Sequence, residues 1–566
     1  MRREKRRAAR GPSALFGASA ALLALVAAPR LLGIGYGLPH VYNADEPHMI
    51  NMAVSLAGSL RPYSFKYPTL WPTVLAGFYG LWFAVWSGFG LLRGATDFAA
   101  KYAFSPGGFY LIGRLLTTCS QVAAVAVLAF LERGEGAKRW PYGAALLAAA
   151  PILVDAAHSA KPDSFMLLLV TVALAAALRF QSGGGRAWLL GSAFSAGLAC
   201  STQYTAAPAG LIVPLAWLLR ADGPAPLSWL FQAGLVSAGG FLVGTPYALL
   251  DSSRFLDDWR DASAREVFAP HDPLSTARVV LRNLWCFGGE GSLSGAGAAL
   301  GLAALLRRDA RRALLLAVPV LAYLAVLARY LDGGNARYLF GIYPALALLA
   351  GEGFSLLGGA SAWRRGLVAA LALAPGLFLS WRYDAGLRLP DTRAQATEWL
   401  ASHVPSGATL LLDQPHAGPF AIMTKEQCAE LAERAARNGS PRARLFRAMV
   451  AKHPGGGYRV YRIQRSARDL WSAPRQVAMS QADGDFLDVR AGLDPVRAVR
   501  VDYVVTSSLG ADPRRTREFA TFFDELASQA EFVREFPSEP GVTAGPWLRV
   551  YRLRGRPDPG ADKLID

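Results

Sequence analysis

Cysteine is scarce in these 566 residues: four, at Cys119, Cys200, Cys286 and Cys428, none near another. That scatter excludes a disulfide framework and a cysteine metal site, and leaves them as small core residues. Charge is scarce too. Only 18% of the residues are charged, against roughly a quarter in an ordinary soluble domain. Neither a zinc finger, a helix-turn-helix signature nor a basic-aromatic stripe is present, so the net charge of +17 does not point to nucleic acid. No internal repeat is visible, which argues against a transporter built from duplicated halves.

Hydrophobic residues are what the chain has, 52% of it, with a mean hydropathy of +0.24. This is membrane-protein composition. Arg falls mainly between apolar segments, where it fits topology-setting cytoplasmic loops and anionic headgroups. The basic start MRREKRRAAR precedes an apolar run from Ser13 to Gly35 without an A-x-A site. It reads as an uncleaved first helix with its N-terminus in the cytoplasm. Further apolar segments fall near 107–131, 142–158, 162–180, 187–202, 204–220, 227–247, 291–306, 313–330, 338–357 and 364–381. If each crosses once, the basic connections Glu132–Arg139, Arg179–Arg186, Arg220, Arg307–Arg312 and Trp363–Arg365 all lie inside. That alternation holds only if 68–92, long and apolar enough to span, is re-entrant or interfacial. We expect a polytopic α-helical membrane protein with about eleven crossings, up to thirteen.

The outer side then collects the polar residues. It holds Asp45–Tyr67, Arg114, His158–Asp163, Ser201–Thr205, the long loop 246–290 and Asp332–Tyr338. Charges at a membrane rim are functional candidates because desolvating them is costly. Foremost is the doublet Asp45-Glu46, flanked by His40, Tyr42 and His48, in a segment that closes on Lys66 and Tyr67. Its bland reading is a helix N-cap, since Asp before Glu often starts a helix. After Asp384 the composition changes. A helix, a turn and a strand follow in DTRAQATEWLASHVPSGATLLLDQ, with further strands expected at Tyr458–Gln464, Val501–Ser508 and Trp547–Leu553. Helical stretches are expected around Glu426–His453 and Arg514–Phe536. Residues 1–384 form the expected membrane domain, and 385–566 an extracytoplasmic soluble α/β domain of about 180 residues. The latter shows no phosphate loop, nucleophile elbow or metal spacing.

Several short motifs, taken in order, are similar to those of the polytopic GT-C glycosyltransferases. They are Asp45-Glu46, KYPTLWP at Lys66–Pro72, GRLLT at Gly113–Thr117, AKPDS at Ala160–Ser164, GLACSTQYTA at Gly197–Ala206, TPYALLD at Thr245–Asp251 and NARYLFGIYP at Asn335–Pro344. The nearest branch includes protein O-mannosyltransferases and the bacterial lipid A aminoarabinose transferases. DTRAQATEWLASHVPSG resembles the start of the soluble tail in bacterial members. Two positions depart from the pattern: Thr69 stands where a second proline is usual, and Gln203 where a lysine is often found.

The resemblance implies a GT-C membrane fold. It also implies transfer of a sugar from a polyprenyl-phosphate carrier to a lipid, glycan or protein acceptor on the outer face of a bacterial inner membrane. An acceptor hydroxyl needs a base, and a carboxylate serves. The departing phosphate is a weak base that needs cations, not a proton donor. No covalent nucleophile is required, so inversion at the anomeric carbon is expected. Asp45 is the expected base, with Glu46 orienting the acceptor or, with Asp45, a divalent cation such as Mg or Mn. Lys66, Arg114, Arg337 and His271 are the donor-phosphate candidates, each of which also fits a snorkelling rim cation or surface histidine. Tyr67, Asp163 and His48 are acceptor-side candidates, although Asp163 after Pro162 also fits a helix cap. Two competing classes are a multi-pass transporter or lipid-linked sugar flippase, and a non-catalytic envelope-assembly protein. The second leaves the acidic loop and its matching cations without a purpose.

Overall fold

The computed structural model describes residues 22, 24–134, 140–223, 225–267, 273–327, 336–414, 416–440, 442–464, 485–510 and 517–553. The chain packs as two compact units. One comprises Met1–Ile34, Ser64–Val74 and Gly113–Ala385, and the other Gly35–Tyr63, Leu75–Ile112 and Gly386–Asp566. Residues 35–63, with the acidic doublet, therefore belong to the same unit as the C-terminal residues.

The first unit is helical. Among the described residues four helices are long and apolar enough to cross a membrane: Gly107–Arg133, Asp163–Gln181, Leu227–Gly244 and Ala362–Leu387. Other expected crossings are broken into shorter pieces. Segment 142–158 is two helices, Tyr142–Ala149 and Pro151–Ala157, because Pro151 has no N–H to continue the ladder. Segment 204–220 begins as a 3-10 helix, Tyr204–Leu211, with Pro208 inside it. The 68–92 segment is one uninterrupted helix, Leu70–Gly88, and not a hairpin that turns back on itself. Small residues let helices touch. A side chain at Gly301 would strike the Leu349 carbonyl, and one at Gly353 the Gly297 carbonyl, so Ser294–Arg308 and Tyr343–Gly358 approach backbone to backbone. Glu352, buried on the latter helix, is paired with Arg308 and lies 3.8 Å from Arg312. The basic connection at 307–312 thus also ties helices together.

The C-terminal residues form a six-stranded sheet with strands β1 Thr409–Leu412, β2 Arg459–Ile463, β3 Asp485–Leu487, β4 Tyr503–Ser507, β5 Ala530–Phe536 and β6 Leu548–Leu553. Their order is β3-β2-β1-β4-β6-β5. The first four are parallel, while β6 runs antiparallel between β4 and β5. Strand β1 is buried along its whole length, as a central parallel strand should be, which explains its unbroken Leu run. The expected helix over 514–536 ends at Gln529, where AEFVREF becomes an edge strand. The expected 426–453 helix is two, Lys425–Arg437 and Arg442–Ala451.

Candidate active site

Asp45 is exposed at the N-cap position of the helix Glu46–Leu56, where its side chain makes no capping bond. The turn before it is made by Asn43, whose Oδ1 accepts from the Asp45 N–H at 3.0 Å. Glu46, one residue on, is fully buried and within electrostatic reach of Tyr79. His48 is half-buried, its ring centroid 6.1 Å from Tyr63 and edge-on to it. Neighbouring carboxylates in the sequence thus end in opposite environments, because the helix start turns one outward and the next inward.

The turn leading to this helix is held by the C-terminal residues of the same unit. Gly37 takes φ +72°, and a Cβ there would meet the Tyr42 ring at 2.9 Å. Arg393 lies with its guanidinium 3.8 Å above the same ring. Its Nε donates to Asp391 Oδ1 at 2.9 Å, and its Nη2 to Asp391 Oδ2 at 2.7 Å and to the Tyr36 hydroxyl at 2.9 Å. Its Nη1 donates to the His416 carbonyl at 2.6 Å. Burial works against the Arg393 charge, but the bonds to Asp391 outweigh it and hold its pKa above the usual value. His40 stacks on Phe420 with centroids 4.5 Å apart. Burial lowers the pKa of both His40 and His416; for His416, Asp413 and Asp45 pull the other way.

In the helical unit, the segments that carry the family resemblance meet each other. The Lys66 loop is pinned on both sides. The Phe65 N–H donates to Asp258 at 2.7 Å, and Tyr204 donates to the Phe65 carbonyl at 2.9 Å. Two residues beyond Tyr67, the Thr69 hydroxyl donates to the Gly244 carbonyl at 2.8 Å. The Thr69 N–H donates to Thr245, which shares a hydrogen bond with Ser201. Trp71 donates to the Ala160 carbonyl at 3.2 Å. Asp163, 3% exposed, has Arg337 and Lys161 in electrostatic reach and takes a hydrogen bond from Gln203. The position expected to carry a lysine therefore bonds an acid instead. Arg114 is 1% exposed and its Nη1 donates to the Ile34 carbonyl at 2.8 Å.

Beneath this lies polar chemistry that composition alone does not single out. Arg30, fully buried, donates to the Val26 and Ala148 carbonyls at 2.8 Å and to Gln121, which in turn donates to Ser164. His158 has both ring nitrogens on carbonyl oxygens, Val154 at 2.8 Å and Leu32 at 2.7 Å, with Asp384 at 3.8 Å.

The structure thus groups Asp45, Glu46 and His48 in one unit, and Lys66, Tyr67, Arg114, Asp163 and Arg337 in the other. His271 lies outside the described residues. Sequence reasoning passed over Arg393, Asp391, His416 and Tyr36. The only signal was DTR at the start of a helix, and it reads as a cap. Asp45 and Glu46 do not fit a shared divalent cation, since one is exposed and the other buried within the fold. Among the described residues no three His, Cys, Asp or Glu side chains gather as a metal site.

No protein-family model matches the chain, and no curated protein matches it. Solved structures do. ArnT from Cupriavidus metallidurans bound to undecaprenyl phosphate superimposes with a TM-score of 0.54 at 15% identity, covering 96% of this chain and 98% of that one. The oligosaccharyltransferase of Archaeoglobus fulgidus, in a complex with Zn and sulfate, does so with a TM-score of 0.50 at 12% identity, over 94% of this chain and 72% of that one. The chain shares its overall fold with these two proteins.

Proposed function

We propose that the chain is an integral membrane glycosyltransferase of the bacterial inner membrane, moving a sugar from a polyprenyl-phosphate carrier to an acceptor hydroxyl on the outer face. The observation that carries this is the convergence, within one unit, of four separated segments, at Ala160, 201–204, 244–245 and Asp258, on the 65–71 loop that bears Lys66. A solvated loop has no need of such anchoring. Structural likeness to ArnT, which was solved with undecaprenyl phosphate, supports a lipid-phosphate carrier. Residues 1–384 are the proposed membrane domain, with about eleven crossings, and 385–566 the extracytoplasmic domain.

In this reading Asp45 accepts the proton of the acceptor hydroxyl as its oxygen attacks the anomeric carbon. The bond from that carbon to the phosphate oxygen breaks, and its electron pair leaves with the polyprenyl phosphate. Lys66, Arg114 and Arg337 stabilise the charge that develops there. One displacement gives one inversion. Glu46, being buried, leaves contact with the acceptor to Asp45, and no step is routed through a metal. The test is to incubate purified protein in lipid nanodiscs with a labelled polyprenyl-phosphate sugar and an acceptor extract. Release of free polyprenyl phosphate with label in the acceptor is expected. Passage of intact donor between leaflets of a proteoliposome, without release, would establish a flippase instead.

A further inference from the structure

We propose that Arg393 is a positioning residue for Asp45, so that the C-terminal part of the chain holds the base in place for transfer. This rests on the reading of Asp45 as the base. The guanidinium is committed on every side: to both Asp391 oxygens, to the His416 carbonyl, to the Tyr36 hydroxyl and, through its face, to the Tyr42 ring. Tyr42 is 8% exposed, and its hydroxyl is buried with no hydrogen-bond partner. Its ring is therefore placed by the Arg393 face and by Gly37, not by a bond at its tip. Only Asn43 and Ala44 separate it from Asp45, and the Asn43 side chain closes that short link. A displacement at Tyr42 passes to Asp45 with little slack to absorb it.

A lysine cannot replace this. Its ammonium is a point charge that neither forks across a carboxylate nor lies flat on a ring. Catalysis is sensitive to such shifts, a misplacement of about 1 Å costing on the order of 100-fold in rate. Arg393→Lys in the full-length protein in nanodiscs should lower kcat by roughly 10- to 100-fold, with the donor KM within about twofold of wild type. Millimolar guanidinium should restore part of the rate to Arg393→Ala. Tyr42→Leu, which leaves the Asp391–Arg393 pair intact, should show the same kcat defect, whereas Tyr42→Phe should turn over normally. In an Asp45→Asn background, Arg393→Lys should lower the residual rate less than about twofold, because both changes act on one group.

Full kcat in both Arg393→Lys and Tyr42→Leu would overturn the proposal. So would an equal loss from Arg393→Lys with and without Asp45, which would place its action elsewhere. Near-normal turnover by Asp45→Asn would instead overturn the reading of Asp45 itself. A loss at Asp45→Asn with none at Arg393→Lys overturns only the positioning role.

Discussion

Asp45 and Asp391 each stand at the N-cap position of a helix, and the two aspartates are used in opposite ways. Asp391, 8% exposed, accepts from the Arg393 N–H at 2.9 Å as a helix cap and holds the Arg393 guanidinium with both oxygens. Asp45 is exposed and caps nothing. Both hold the N-cap position, so the place in the helix alone does not tell them apart. The difference shows that a cap motif identifies a helix start but not whether the carboxylate is consumed by it. At Asp391 the carboxylate is part of the helix start, whereas at Asp45 it stands at the surface beside a clamped turn.

The comparison breaks most visibly through Asp391→Ala. Removing one partner of a buried pair costs about 3–5 kcal/mol, because the other charge is left buried. Hydrogen exchange across β1 and the helix Thr392–His403 should show that loss. An unchanged exchange pattern would mean that Asp391 is no more committed than Asp45. For the cations, Arg114→Ala and Arg337→Ala should each slow transfer by about 2–4 kcal/mol, roughly 30- to 1000-fold, through loss of a charge-assisted contact to the leaving phosphate. Unchanged turnover in both, at normal membrane levels, would remove them from the site.

The smallest effect is on pH. His40 and His416 have folded-state pKa values below the ordinary 6.5, both through burial. The unfolded chain then binds more protons than the folded one as pH falls, so stability present above about pH 6.5 is lost progressively below it. Hydrogen-exchange protection of the 391–423 region, taken relative to the intrinsic rate at each pH, should fall from pH 7.5 to 5, and His416→Gln should flatten the trend. A stability that rises on acidification would contradict it.

The helical character of the first unit was legible in the sequence through its apolar runs, and among the described residues four helices are long and apolar enough to cross a membrane. The α/β tail was legible through the Leu run of β1 and the alternating YRVYRI of β2. Less could be read where short-range pattern and tertiary packing disagree. AEFVREF at β5 has a charge-rich composition that suits a helix as well as an edge strand. The motifs around Lys66 pointed to a site, but their mutual hydrogen bonds join residues up to 176 positions apart, which no local window contains. Arg393 escaped notice for the same reason: its role depends on Tyr36 and Tyr42, more than 350 positions away along the chain.

Asp45→Asn tests the central claim most directly. Asparagine keeps the size, and caps a helix as well as aspartate does, but it has neither the charge nor the basic lone pair. Transfer from labelled polyprenyl-phosphate sugar should fall by about 100-fold or more, with membrane insertion and carrier binding retained. Near-normal transfer by this variant would contradict the account.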